Sequence, residues 1–190
     1  MSTKRFYGDA PAVAEIWTIT PANVNLGNTF TVTINGKSIT VTATAATVAN
    51  VTALLAEAWN ESDILEFAEL EAVDNTTLVT VTMREAGVPT TITASASGGT
   101  ATNTPSKTTS ASGPNFWDTA ANWDGDTLPV DGDDVILMPG CSDILYALTQ
   151  TTIGLLSLTA KEGSGKVGLP EVRVSGGSTY DEFRETYLSL

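Results

Sequence analysis

Threonines that alternate with apolar residues are the feature that most constrains this chain, which has 31 of them among 190 residues. The clearest run is 29–34, where Phe30, Val32 and Ile34 fall at every second position. Such a period-two pattern predicts a strand that is apolar on one face and hydroxylated on the other. Asn35-Gly36 follows and is a strong hairpin signal, so 38–43 is expected to be the returning strand.

The periodicity changes after this hairpin. Apolar residues then recur at spacings of three and four, which predicts a helix with Thr47 as its N-cap. The stripe contains Val48, Val51, Leu54, Leu55, Ala58 and Trp59. Flanking strands are predicted at 14–20, ended by Pro21, and at 66–73, 77–83 and 90–96. Residues 14–97 are therefore predicted to form an α+β sandwich-like domain in which Phe30, Val32, Ile34, Ile39 and Val41 pack near the helix.

The rest of the chain is predicted to be β-rich. Residues 98–113 lack large apolar side chains and are expected to be a Gly/Ser/Thr-rich linker. In 114–190, Trp117 and Trp123 are expected to cap stacked strands, and Asp133-Asp134 to form the turn into the strand Val135–Leu137. Short apolar runs at 144–148, 153–158 and 167–169 indicate the start of a β-solenoid. A strand at 172–174 and an uncapped apolar run at 180–190 follow, so we expect a fragment of a longer protein. The fold class predicted is thus mainly β with one helix.

Charge and composition disfavour several functions. Nine basic residues against 22 acidic ones give a formal charge of -13, which disfavours nucleic acid as a partner. The chain has no histidine, which excludes Ser-His-Asp and Cys-His mechanisms within it. Its one cysteine, Cys141, allows no internal disulfide and is expected to be a small buried residue. Neither a secretion signal nor a membrane segment is recognisable, so we expect a soluble protein without membrane partners.

An acidic run is the most chemical-looking feature of the sequence. It consists of Asp124, Asp126, Asp131, Asp133 and Asp134. Several carboxylates on one loop could hold calcium, but the spacing does not match an EF-hand loop and aspartates also favour turns. A carboxylate pair for sugar cleavage is the other alternative, although no pair is fixed by the sequence. The prediction is turn residues, with no metal, cofactor or catalytic residue assigned.

The first 13 residues are predicted to be an N-terminal arm. Lys4, Arg5, Phe6 and Tyr7 form a basic and aromatic patch, a composition that suits docking against another subunit. The alternative is a frayed chain end.

Two stretches resemble known structural proteins. The hairpin and helix within 14–59 resemble small domains of tailed-bacteriophage virion proteins, in which an Asn-Gly-Lys hairpin and an Ala-rich helix precede a β extension. Phe116-Trp117-Asp118, Asn122-Trp123, Pro129 and 132–135 are similar to the opening motif of solenoids in phage fibres and bacterial surface adhesins.

What the resemblance implies is a non-enzymatic virion component, either a capsid decoration or a head-fibre protein, that assembles in the host cytoplasm. Its implied partners are the major capsid protein or other virion proteins and further copies of itself, with a trimer favoured. The alternatives are a carbohydrate-binding or carbohydrate-cleaving tailspike and a bacterial adhesin module. Neither motif decides between the head and the tail of a particle.

Overall fold

The structure, a computed structural model, is mainly β. It describes residues 2–148, 153–168, 171–175 and 178–182, the last two ranges by their backbone alone. The strands are β1 (Thr3–Phe6), β2 (Ile16–Ala22), β3 (Thr29–Ile34), β4 (Lys37–Thr42), β5 (Leu70–Asp74), β6 (Val79–Met83), β7 (Ile92–Ser97), β8 (Thr102–Thr109), β9 (Asp134–Leu137), β10 (Ser157–Ala160), β11 (Glu171–Ser175) and β12 (Ser178–Glu182). The helices are α1 (Val48–Asn60) and α2 (Leu65–Ala68), with two short 3₁₀ helices at Ala120–Asn122 and Asp124–Asp126.

The chain divides into two compact units that do not follow the predicted domain boundaries. Unit 1 combines Met1–Ala12 with Ser112–Leu190, and unit 2 is Val13–Ala111. Unit 2 therefore interrupts unit 1 in the sequence. The two points of unit 1 between which unit 2 is inserted are adjacent, because a Cβ added at Gly113 would lie 3.0 Å from the Cα of Ala12.

Unit 2 contains two antiparallel sheets and one hydrophobic core. The sheet orders are β5-β6-β2-β8 and β4-β3-β7. The predicted hairpin is confirmed as β3 and β4, and Asn35 and Gly36 both have positive φ, as a tight hairpin turn requires. The predicted helix is confirmed as α1, whose N-cap Thr47 accepts a hydrogen bond from the Asn50 backbone. The predicted β3 and β4 side chains are all buried in the same core as Val51, Leu55 and Trp59.

Three local predictions in unit 2 are wrong. Pro21 lies within β2 and does not end it. β6 pairs only with Ile16–Ile19, so beside Pro21 it does not require the backbone N–H that proline lacks. Residues 66–68 lie in α2 instead of a strand, and Phe67 is fully buried there. The predicted linker 98–113 contains β8, which pairs along the whole of β2. Main-chain pairing therefore orders a segment that has few apolar side chains.

The central feature of unit 1 is a parallel sheet of order β1-β9-β10. Asp134–Leu137 of β9 pairs in register with Ser157–Ala160 of β10, 23 positions later. Ile144 and Val167 form a parallel bridge with the same 23-residue offset. Two successive turns of the chain thus lie on each other with a constant repeat.

The prediction of a loose N-terminal arm is wrong. Thr3–Phe6 forms β1, which pairs in parallel with β9 along all four residues. Phe6 is fully buried because it belongs to the core of unit 1.

Later parts of unit 1 test fewer predictions. The strand predicted at 172–174 lies in β11, which pairs antiparallel with β12. Leu169 and the run 183–190 lie outside the described residues. Among the helices of the described ranges, none is long and apolar enough to span a membrane.

Candidate functional site

An aromatic cluster closes the β1 side of unit 1. Trp117 and Trp123 are buried, at 1% and 2% exposure, as the sequence predicted. Their rings meet edge to face at 4.7 Å, and Phe6 meets Trp123 in the same way at 5.1 Å. The indole of Trp123 also donates a 2.8 Å hydrogen bond to the carbonyl of Trp117. These contacts join the chain start to the segment 116–123.

The patch proposed for docking is largely used inside unit 1. The backbone N–H of Arg5 donates to Asp124, and its guanidinium lies 3.2 Å from the same carboxylate. The backbone N–H of Tyr7 donates to the Asn122 carbonyl at 2.8 Å. Lys4 hydrogen-bonds to Thr127, whereas the Tyr7 side chain is 41% exposed. The outer edge of β1 is therefore covered by residues 122–127.

The acidic run does not form a shared site. Asp124 binds Arg5, Asp131 accepts from the Gly154 backbone at 2.7 Å, and Asp134 accepts from the Ser157 hydroxyl. Asp126 lies in the short 3₁₀ helix with a positive φ. Within the described ranges, no three acidic or cysteine side chains are grouped so that they could hold a metal ion. The carboxylates of the acidic run are therefore bound separately, each by a different donor.

Asp133 is a buried turn residue that fastens the first turn of unit 1. It lies directly before β9, as predicted, and is 1% exposed. Its carboxylate accepts hydrogen bonds from the Val130 backbone and from both the backbone and the hydroxyl of Ser2. The Val130 N–H is the largest influence on its pKa, and with the Ser2 donors it outweighs burial, so the pKa lies below its ordinary value of 3.8.

The 23-residue repeat carries side-chain bonds of its own. Asp131, Asp134 and Asp143 each bond to the residue 23 positions later, namely Gly154, Ser157 and Lys166. Gly140 donates its N–H to the carbonyl of Gly163 at the same spacing. Two aspartates of the acidic run, Asp131 and Asp134, thus connect successive turns of the chain through hydrogen bonds.

The β10 side of unit 1 is more open than the β1 side. Val135 and Leu137 in β9 are 0% and 1% exposed, whereas Leu158 is half-buried and Ala160 is exposed one strand further. Leu156, just before β10, is 57% exposed. Apolar side chains therefore reach solvent at this edge of the described residues.

A buried carboxylate in unit 2 escaped the sequence analysis. Glu15 is fully buried and accepts hydrogen bonds from the Trp17 indole at 2.6 Å, the Thr90 backbone at 2.9 Å and the Ala111 backbone at 3.5 Å. Lys107 forms an ion pair with it at 2.7 Å and also lies over the Trp17 ring. The network holds together the first and last residues of unit 2.

The environment of Glu15 favours its charged form. Burial acts to raise its pKa, but hydrogen bonds from Lys107, Trp17 and Thr90 together with the Lys107 charge outweigh burial, and the pKa lies below 4.5. No local motif marks this residue, because its partners come from positions 90, 107 and 111. The Glu-x-Trp spacing, which begins one residue before β2, is the only sequence signal.

One face of the β4-β3-β7 sheet carries only hydroxyl side chains. Its nine positions are exposed or half-buried and lie in register across the three strands. They are Thr29, Thr31, Thr33, Ser38, Thr40, Thr42, Thr93, Ser95 and Ser97. Thr31 bonds to Thr40 at 2.8 Å, and Thr33 to Ser38 at 2.7 Å. The face is polar and uncharged.

A cavity of about 230 Å³ in unit 2 offers little chemistry. Its lining consists of Glu69, Met83, Arg84, Glu85 and Val88. Arg84 there is bonded to the Ala68 carbonyl and paired with Glu71. Pockets for small molecules usually exceed about 300 Å³ and gather several polar groups. The cavity therefore gives no support to a catalytic or cofactor site.

Searches for similarity to protein-family models and to curated proteins found no match. The function of the chain must therefore be argued from its own residues.

Proposed function

We propose that this chain is a structural component of a bacteriophage virion, a capsid decoration or head-fibre protein. In this proposal unit 1 begins a β-solenoid, and unit 2 is an α+β sandwich-like domain carried by its first turn. The observation that supports it best is the 23-residue offset that is kept between two successive turns of unit 1, residues 131–144 and 154–167. The resemblance of residues 14–59 and 116–135 to phage structural proteins supplies the virion assignment.

The register supports the solenoid because it is kept along a whole turn of the chain. Strand pairing, the Ile144–Val167 bridge and the Asp131, Asp134 and Asp143 bonds all have the same offset. In a stack of this kind each turn is stabilised mainly by its neighbours. Such an architecture gives length and stiffness, which suit a fibre or a surface projection.

The use of polar groups favours a structural function over catalysis. Asp133 and Glu15 are buried and have their acceptors occupied by donors from distant parts of the sequence. A general acid or base needs access to a substrate, which neither carboxylate has. Their positions suit residues that fasten the fold.

Unit 2 suits display on a particle. Its hydroxyl face is uncharged, while the chain as a whole carries a formal charge of -13. A negative charge keeps free copies soluble until they reach a docking site. Docking partners in this proposal are the major capsid protein or other virion proteins, with the chain present as a homo-oligomer.

Immunogold labelling of purified particles tests the assignment. Phage particles from the source of the sequence would be labelled with an antibody against unit 2, with a particle lacking the gene as the control. Gold at regular positions on the head supports decoration or a head fibre. Absence from intact particles contradicts the proposal, and gold confined to the tail tip together with binding on a glycan array favours the tailspike alternative.

A further inference from the structure

We propose that Asn35, in the turn between β3 and β4, is a site of covalent modification. Its side-chain amide is lost as ammonia, and the residue becomes aspartate or isoaspartate. Water is the only co-reactant that the conversion needs. The modification concerns unit 2 alone and does not depend on the virion assignment.

The chemistry is a ring closure between two neighbouring residues. The backbone nitrogen of Gly36 gives its proton to hydroxide and attacks Cγ of Asn35, so that an N–Cγ bond forms. The Cγ–Nδ2 bond then breaks, and the nitrogen leaves as ammonia with a proton taken from water. Water adds to one of the two carbonyls of the resulting cyclic imide and breaks its bond to the nitrogen. The product is aspartate, or isoaspartate when the main chain is left running through Cγ.

Glycine after asparagine makes this pair of residues reactive. Because glycine has no Cβ, its backbone nitrogen is not hindered by a side chain. The chain has ten asparagines, and only Asn35 is followed by glycine. The nine others precede residues whose side chains crowd the attacking nitrogen. Within the sequence, Asn35 is therefore the asparagine at which the ring closes most readily.

The folded chain leaves both reacting groups accessible. Asn35 and Gly36 are exposed, and a Cβ built on Gly36 would meet nothing within 4 Å. Among the described residues, no hydrogen bond holds the Asn35 amide, and no backbone carbonyl accepts the Gly36 N–H. The amide of Asn60, in contrast, is bonded at both ends to the backbone of Ala72, and Asn122 is fully buried.

Two aspartates also precede glycine, but the fold holds their carboxylates. Asp124 accepts a hydrogen bond from the backbone of Arg5 and lies 3.2 Å from its guanidinium. Asp131 accepts from the backbone of Gly154 at 2.7 Å. A negatively charged carboxylate is also a poorer target for a nucleophile than a neutral amide. Of the three residues that could close such a ring with glycine, the structure thus singles out Asn35.

Ring closure requires a local opening of the turn. Asn35 and Gly36 have φ values of 47° and 78°, and the backbone of Asn35 must rotate out of this conformation before the nitrogen reaches Cγ. The strands beside the turn stay in place, because Thr33 bonds to Ser38 at 2.7 Å and β7 pairs along the whole of β3. Openings of this kind at a loop tip cost far less free energy than unfolding. The reaction therefore proceeds in the folded protein.

The two products affect the hairpin differently. Aspartate suits the same turn, since Asp-Gly favours it as Asn-Gly does, and it adds one negative charge at the end of the hydroxyl face. Isoaspartate adds a carbon atom to the main chain, so the turn no longer matches the pairing of Ile34 with Lys37. The modification thus changes the charge and the closing pair at this end of the sheet.

Peptide mapping by mass spectrometry tests the proposal on the full chain. The folded protein is incubated at mildly alkaline pH in water enriched in heavy oxygen, which enters the product when the imide is hydrolysed. The first labelled position should be Asn35, as both aspartate and isoaspartate, ahead of every other asparagine and of Asp124 and Asp131. Earlier labelling at any of those positions overturns the proposal. An Asn35 that stays unlabelled in the folded chain overturns it too, whether or not the urea-unfolded chain is labelled there.

Gly36→Asn is the matched control. Asparagine tolerates positive φ, so the turn is kept, but its side chain hinders the attacking nitrogen. The rate of labelling at position 35 should fall by about tenfold or more, which corresponds to about 1.4 kcal/mol of activation free energy.

Asn35→Asp supplies the charged product directly. It should leave the Lys37 amide protected from hydrogen exchange, whereas the isoaspartate form isolated from aged protein should lose that protection. An unchanged labelling rate in Gly36→Asn, or equal Lys37 protection in the two product forms, contradicts the proposal.

Discussion

Removing the charge of Glu15 should strongly destabilise unit 2, because this carboxylate is buried and bonded to four partners. In Glu15→Gln the amide oxygen can still accept from Trp17 and Thr90, but the amide NH₂ then faces Lys107 and the Ala111 N–H, which are donors themselves. Losing charge-assisted hydrogen bonds at a buried position should lower the free energy of unfolding of unit 2 by about 2–3 kcal/mol.

The loss of stability caused by Glu15→Gln should become smaller as the pH falls. The pKa of Glu15 is lowered in the folded state, so its stabilising contribution is present above the ordinary value of 4.5 and is lost as the pH falls through the lowered pKa. The variant carries no such group. The difference in unfolding free energy between wild type and Glu15→Gln should therefore narrow as the pH is lowered from neutral to well below 4.5.

Residue-resolved measurement is needed because two units need not unfold together. Urea unfolding followed by the amide NMR signals of β2 and β8 reports unit 2, while those of β9 report unit 1. Glu71→Gln is the matched control, since Glu71 is 59% exposed, is paired with Arg84 at 3.6 Å and should contribute less than about 1 kcal/mol. The reasoning is refuted if the two variants cost the same, or if the Glu15→Gln difference does not shrink in acid.

Three further outcomes follow from unit 1. Deleting residues 2–9 should abolish the β9 amide protection seen by hydrogen exchange, because β1 and the buried Phe6 are lost; unchanged protection would mean that β1 is dispensable. Trp123→Ala should cost about 3–5 kcal/mol, detected as urea unfolding of β9 before β2, and a simultaneous loss of both signals would contradict its assignment to one unit. Joining Ala12 directly to Ser112 should leave a folded unit 1, judged by its near-ultraviolet circular dichroism, because the two ends are adjacent; an unfolded product would refute the independence of unit 1.

Local structure in unit 2 could be predicted because short-range patterns determine it. Alternation of Phe30, Val32 and Ile34 places all three in the core, and Asn35-Gly36 fits the tight turn between β3 and β4. The spacing of α1 and its Thr47 cap are equally local. Buried tryptophans and the turn before β9 could likewise be predicted in unit 1.

Tertiary structure decided the organisation, because its partners are far apart in the sequence. From the sequence alone, Thr3–Phe6 is predicted to be a loose basic arm. In the folded chain β9, more than a hundred residues later, provides its hydrogen bonds, and the core of unit 1 buries Phe6. Thr102–Thr109 reads as a linker until β2 pairs with it. Glu15 becomes a buried anchor only through donors at 90, 107 and 111, and the aspartates of the acidic run separate because each meets a different donor. Periodicity within a strand or helix depends on neighbouring residues and is visible in the sequence, whereas the pairing of distant edges and buried charges depends on the folded chain.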